Sequence, residues 1–335
     1  MVYFVRLIAS LLLVTSIASC GVSLDHVETR TCDYSRESRE GDTVFAVAKD
    51  SVSKVFVIHE MACLFFEKEK NEYALEVIDI HTGESIRSFV KYGRDQNEML
   101  LVDVSRNNNR IVLTDIIKNQ YVDIDIDAIK KESYDVETGK VYVNTQERIP
   151  YKGERYLCLN PDSFNDMAPR FYVTNMFGRH FNLRRNRNDC FNVVDGTLIY
   201  NQVKDRVVFL SLYDPFVEIW TTKKDSMIRL LFSREEEVQI IPIKNGKKTE
   251  FYFVDHVPIC FVGGDSDDQG IVAAYLDEKG QSYILAINWE GVVTDSFAVN
   301  GRIRSVSLTD TRSDVYCWLS SQQKDELVKF PIYHR

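Results

Sequence analysis

The chain lacks the long helical patterns on which parallel α/β folds depend, and that class is excluded. Clustered cysteine is lacking too. Cys32, Cys63, Cys158, Cys190, Cys260 and Cys317 are scattered, without the spacing of a structural metal site or a disulfide-dense small domain. Export would permit disulfides, yet isolated buried thiols inside strands are an equally good expectation. His26, His59, His81, His180, His256 and His334 form no ligand spacing. His59-Glu60 opens like a zinc-protease motif, but Cys63 stands where the second histidine is needed. No Gly-x-Ser-x-Gly elbow, phosphate loop or dinucleotide fingerprint is present. Excess positive charge is also missing. Fifty acidic against 41 basic residues leave a net charge of −9, which argues against nucleic acid as a partner and gives no attraction to anionic headgroups.

The beginning of the chain is richer in signal. Arg6 supplies a positive start and the residues around Leu7 to Val14 an apolar run too short to span a bilayer. Ile17-Ala18-Ser19-Cys20 then matches a lipoprotein box, in which small residues precede an acylated cysteine. Residues 1–19 are therefore expected to be a signal peptide, with lipid on Cys20 as the membrane attachment. Gly21 after the cysteine favours the outer membrane. Residues 20–42 are polar and read as a tether, and 43–335 as the folded domain. With 44% hydrophobic and 12% aromatic residues, that domain can bury a substantial core.

From Thr43 onward short β segments alternate with turn residues. His81-Thr82-Gly83-Glu84 divides one hairpin, Met176 to Arg179 a second, Lys223-Lys224-Asp225 a third and Trp289-Glu290-Gly291 a fourth. Turn centres near 83, 178, 224 and 290, with a fainter one near 129, suggest a unit of roughly 45–50 residues, the period of a four-stranded propeller blade. Six such units of about 49 residues fit the domain best, with seven of about 42 residues each as the alternative. Lys244-Asn245-Gly246-Lys247 looks like the tip of an additional excursion. The final run Leu327 to Ile332 is placed to pair with the segment beginning at Thr43, closing a ring and removing open edges. The expected fold is all-β: a six-bladed β-propeller of four-stranded antiparallel blades.

One repeat carries a family-like pattern. Leu75-Glu76-Val77-Ile78-Asp79 leads into Thr82-Gly83, Ser85 to Val90 returns, and Gly93-Arg94-Asp95-Gln96-Asn97-Glu98-Met99-Leu100 follows. This resembles the six-bladed, TolB-like propeller lipoproteins of Bacteroides and its relatives. Gln96 and Asn97 stand where that group has Gly and Pro, so a differently shaped connection is expected. The resemblance implies a fold more readily than a function.

Several constellations are candidate sites. Asp123, Asp125 and Asp127 alternate and would share one strand face, most simply a solvated one. Gly263 to Gly270 holds Asp265, Asp267 and Asp268, oxygen donors suited to calcium, but crowded so closely that tight binding is not expected. Arg184, Arg185 and Arg187 suit bidentate recognition of an anion. Trp220 and Trp289 offer stacking surface to a sugar or peptide, or else pack between blades. No catalytic residue and no obligatory cofactor emerge. The sequence points to an envelope-anchored module recognising a protein, peptide or glycan. A metal-dependent, lactonase-type hydrolase of sugar derivatives and a structural subunit of an envelope complex are its rivals.

Overall fold

The computed structural model describes residues 26–332 apart from 49–51, 69–70, 108, 116, 130–135, 141–147, 153–154, 160–170, 176–179, 183–195, 222–225, 233–239, 246–247, 254–258, 310–312 and 322–323. Cys20, the arginines at 184, 185 and 187, and Cys190 lie outside the described residues.

Strands β1 (His26–Cys32) and β2 (Asp42–Ala48) come first. A meander follows of β3 (Val52–Ile58), β4 (Met61–Phe66), β5 (Tyr73–Asp79) and β6 (Ser85–Lys91). The next is β7 (Val102–Asn107), β8 (Arg110–Asp115), β9 (Gln120–Asp125) and β10 (Glu137–Lys140). Then come β11 (Arg148–Tyr151), β12 (Arg155–Leu159), β13 (Phe171–Asn175) and β14 (His180–Asn182). β15 (Gly196–Asn201), β16 (Arg206–Ser211), β17 (Phe216–Thr221) and β18 (Ser226–Phe232) precede a separate hairpin of β19 (Ile240–Asn245) and β20 (Lys248–Phe253). The chain continues with β21 (Phe261–Ser266), β22 (Gly270–Leu276), β23 (Ser282–Asn288) and β24 (Val293–Val299), and finishes with β25 (Arg302–Leu308), β26 (Asp314–Ser320) and β27 (Lys324–Pro331).

The result is an all-β propeller, but not the uniform six-bladed one expected. Five of its sheets are four-stranded antiparallel blades; the sheet of β15 to β18 has a fifth strand, β1, which runs parallel to β18 from His26↔Ser226 to Cys32↔Phe232. The segment read as a tether therefore supplies a strand. Its polar composition hid this, because a strand added at an edge is held by backbone hydrogen bonds and needs little apolar surface. Cys32 is its one fully buried side chain among those described. The Lys244 to Lys247 excursion is the two-stranded β19–β20 hairpin. β2 pairs antiparallel with β27, Thr43 opposite Val328, so the second strand of the chain and the last share one sheet.

The core lies between sheets rather than within any one of them. Val57, Ala62 and Leu64 pack with Trp318 and Leu327 across one interface; Cys63, Val77 and Phe89 pack with Val104, Ile111 and Leu113 across the next. Leu210, Val217 and Leu230 meet Phe261, Tyr275 and Trp289 across another. Period-2 alternation on doubly covered sheets explains why strands such as β4 and β22 are buried at every position. Polar groups also bridge the sheets. The hydroxyls of Ser305 and Ser307, two residues apart on β25, accept from the backbone N–H of Val55 and Val57 at 3.0 and 2.9 Å. Cys32, Cys63, Cys158, Cys260 and Cys317 are buried free thiols. Burial pushes the Cys63 thiol up to about 12.

Candidate functional site

The Gly263 to Gly270 segment is mostly strand, not loop. Phe261–Ser266 is β21 and Gly270 starts β22, leaving only Asp267 to Gln269 in the turn. Gly264 is needed for close approach: a Cβ there would come within 2.6 Å of Leu210 Cδ1 and 2.7 Å of the Val272 carbonyl oxygen. The three carboxylates consequently do different work. Asp265 Oδ2 accepts from Arg106 Nη1 at 2.9 Å, Leu308 N at 2.9 Å and Ser307 Oγ at 3.1 Å. Asp267 Oδ1 closes its own turn by accepting from Gln269 N and Gly270 N at 2.8 and 3.1 Å. Asp268 is exposed. Among the described residues no group of three or more His, Cys, Asp or Glu is arranged to hold a metal ion.

The two tryptophans are tied into the framework. Trp220 is partly buried on β17 and donates its indole N–H to Glu218 Oε2 at 3.3 Å. The Glu218 carboxylate is wholly buried and accepts from Arg229 Nε and Nη2 at 2.8 and 2.6 Å. Trp289 is buried and donates to the Asp267 carbonyl at 3.2 Å, an oxygen that also accepts from Asn201 Nδ2 at 2.7 Å. Asp123 and Asp125 both face Arg110, at 2.9 and 3.8 Å, while Asp127 leaves that strand and meets His59 Nε2 at 2.8 Å.

Where the first strands of the sheets converge there is a cavity of about 150 Å³, bordered by Lys54, Asp103, Arg106, Tyr200 and Asp265 among others. Its charged groups are engaged with the wall. Lys54 Nζ donates to the Val104 carbonyl at 3.2 Å, and the Arg106–Asp265 pair, nearly shielded from solvent, spans β7 and β21. These contacts brace the ring.

The opposite situation is found on one rim, around the connection from β6 to β7. Turns between second and third strands, and connections between sheets, project from the same face of an antiparallel blade. Tyr73 at the start of β5, Leu101 before β7 and Ile117 between β8 and β9 share that face. Leu101 is 50% exposed and Ile117 59%, high values for large apolar side chains, and Tyr73 is exposed on the same face. Asp115 explains their placement. This buried carboxylate accepts from Leu100 N at 2.6 Å through Oδ2, and from Ile117 N and Lys118 N at 2.8 and 3.0 Å through Oδ1. One side chain thus fixes the backbone behind both Leu101 and Ile117.

Lys118 completes the brace. Its ammonium group donates to the carbonyls of Gly93, Asp95 and Glu98 at 3.2, 2.7 and 2.6 Å. Glu98 folds back so that its Oε2 accepts from Asp95 N at 3.0 Å. Gly93 makes room for that carboxylate, since a Cβ would fall 1.8 Å from Glu98 Oε2. The Tyr92 hydroxyl donates to the Phe66 carbonyl at 2.7 Å, and burial pushes it up to about 12. The Gly93 to Leu100 motif is therefore a braced ledge under the apolar rim. The sequence marked the ledge but not the rim, because Asp115 and Leu100 are brought together only by the fold.

Beside the ledge is a larger groove of about 720 Å³, bordered by Phe89, Val90, Tyr121 and Val136 together with Lys91 and Lys140.

No family model matches the chain, and no curated protein matches it. Solved structures do. A protein assigned as exported, from Bacteroides fragilis, superposes with a TM-score of 0.53 at 11% identity, covering 92% of this chain and 100% of its own. A member of the DUF4221 family from Bacteroides vulgatus gives a TM-score of 0.49 at 11% identity, covering 90% of this chain and 96% of that one. Identities this low show the fold alone. The six-bladed, TolB-like expectation does not hold: the single Gly93 repeat that suggested it is a local brace, the fold likeness is to the exported Bacteroides fragilis structure, and five sheets, not six, have the four-stranded antiparallel form. What the comparisons and the sheet topology together establish is that this chain is a β-propeller.

Proposed function

We propose that this propeller is a recognition module, attached to the outer membrane through lipid on Cys20, that receives an apolar segment of a protein or peptide on the Tyr73–Leu101–Ile117 rim. The observation that carries this reading is the pairing of exposure with restraint. Leu101 and Ile117 face solvent, yet the backbone behind them is held by a single buried carboxylate. A surface already ordered loses little entropy on binding, and apolar anchors fixed in position are what such surfaces use. The engagement of Trp220 and Trp289 in the framework favours a polypeptide partner over a sugar, which would want free aromatic faces. The reading is one of binding without catalysis.

Native mass spectrometry of the full-length protein, extracted in mild detergent from its own envelope, tests it. A stoichiometric polypeptide partner should accompany the wild type and be lost from Leu101→Asp/Ile117→Asp while that variant keeps its thermal stability. Equal recovery of the partner with both proteins would refute the assignment.

A further inference from the structure

We propose that the face of the ring opposite the Leu101–Ile117 rim lies against the phospholipid surface, with the hairpin tip at Val203 and the start of β1 in the headgroup layer. This rests on the lipid attachment at Cys20 and adds an orientation to it. Two observations carry it, and they are independent.

The first is geometric. Only five residues separate Cys20 from His26, and six fully extended residue steps reach no more than about 22 Å. The chain therefore emerges from the bilayer close to the first residue of β1. The parallel ladder then fixes which end of the sheet that is. His26 is level with Ser226, Ser226 with Thr221, Thr221 with Arg206, and Arg206 with Asn201. This row is one margin of the five-stranded sheet, and the β15–β16 hairpin projects from it. All seven residues of β1 are paired, so the strand nearest the attachment is itself part of the ring.

The second observation is chemical. Val203, at the tip of that hairpin, is 78% exposed, more than any other large apolar side chain described. Val27 is exposed on β1, one residue from the start of the ladder. Val292 is exposed on the β23–β24 turn, which β1 touches through Arg30 Nη1 on the Glu290 carbonyl at 2.6 Å. All three belong to the two neighbouring sheets nearest the point of attachment. Their charged neighbours are of both signs, Lys204 against Asp268 and Glu290, so this face gains nothing from anionic headgroups. Lipid would hold the protein, and the valines would add to that hold by the apolar area they withdraw from water at the bilayer surface. The same arrangement turns Leu101 and Ile117 away from the membrane.

The test uses the full-length lipidated protein reconstituted in phosphatidylcholine vesicles, with a fluorescent amino acid at position 203 or at position 117 and a headgroup spin-labelled lipid as quencher. Quenching at position 203 should exceed that at position 117 several-fold. Equal quenching, or stronger quenching at position 117, would overturn the orientation while leaving the attachment intact. Flotation with vesicles gives the separate readout: Cys20→Ser protein should remain behind, and if it floats as the wild type does, the attachment fails and the orientation with it.

Discussion

Apolar side chains occur on both faces of the ring, but their supports differ. Behind Leu101 and Ile117, Asp115 joins two segments fifteen residues apart, and Lys118 holds a third by its carbonyls. Behind Val203 the turn is closed locally, by Lys204 N donating to Asn201 Oδ1 at 2.9 Å. Its ties to the neighbouring sheets are Asn201 Nδ2 on the Asp267 carbonyl at 2.7 Å and the ion pair of Lys152 with Asp205 at 2.7 Å, in which the lysine is 41% exposed. The contrast suits two kinds of partner. A folded surface or peptide rewards fixed relative positions, whereas a fluid lipid interface asks only for apolar groups at the right depth.

Removing the brace should break that contrast most strongly. Asp115→Ala strands three partly buried backbone N–H groups and should cost about 3 kcal/mol, read from urea unfolding. On the other face Asp205→Asn removes an ion pair whose lysine is partly exposed, keeps an acceptor for the Tyr200 hydroxyl and tolerates the positive φ of that position, and should cost about 1 kcal/mol. Similar losses for the two would mean that the faces are equally braced.

A smaller effect is expected at Gly93→Ala. The new methyl group displaces the Glu98 side chain, whose bond to Asp95 N would be lost, for about 1 kcal/mol. Double substitution with Glu98→Ala should then add almost nothing, because the carboxylate is already displaced. Additive losses would show that the glycine serves some other purpose. Val203→Asp should be the mildest, within about 0.5 kcal/mol, because an exposed tip has little packing to lose.

Alkaline pH sharpens the comparison when the wild type and a single tyrosine variant are read side by side. Tyr92 beneath the rim titrates in the fold at about 12 instead of its ordinary 10.0, because burial disfavours the phenolate. Its folded-state value is raised, so its contribution is complete below pH 10.0 and is lost as pH rises towards 12. The Tyr92→Phe variant should therefore lose stability less steeply than the wild type over that window. Parallel pH profiles of melting temperature would contradict the assignment of this group to the brace.

Much of this architecture was legible in the sequence, and the parts that were not have identifiable physical causes. Turn residues announced the hairpins at Gly83 and Gly291, and the β19–β20 excursion, because glycine and polar residues punctuate local structure directly. The pairing of Leu327 with Phe45 followed from the need to close a ring. β1 was missed because an edge strand can be stable on backbone hydrogen bonds while showing no apolar period. Asp265 was placed in a loop because two glycines precede it. They lie in strand β21, and Gly264 is small because Leu210 and the Val272 carbonyl lie against it. The rim itself left no local mark. Leu101 and Ile117 read as ordinary apolar residues at strand ends, and only the long-range hydrogen bonds of Asp115 set them side by side.

Photocrosslinking in living cells tests the two-faced account most directly, with benzoylphenylalanine at position 117 in one strain and at position 203 in another. The account predicts a discrete protein adduct from position 117 and a phospholipid adduct from position 203. A lipid adduct from position 117, or the same protein adduct from both positions, would contradict it.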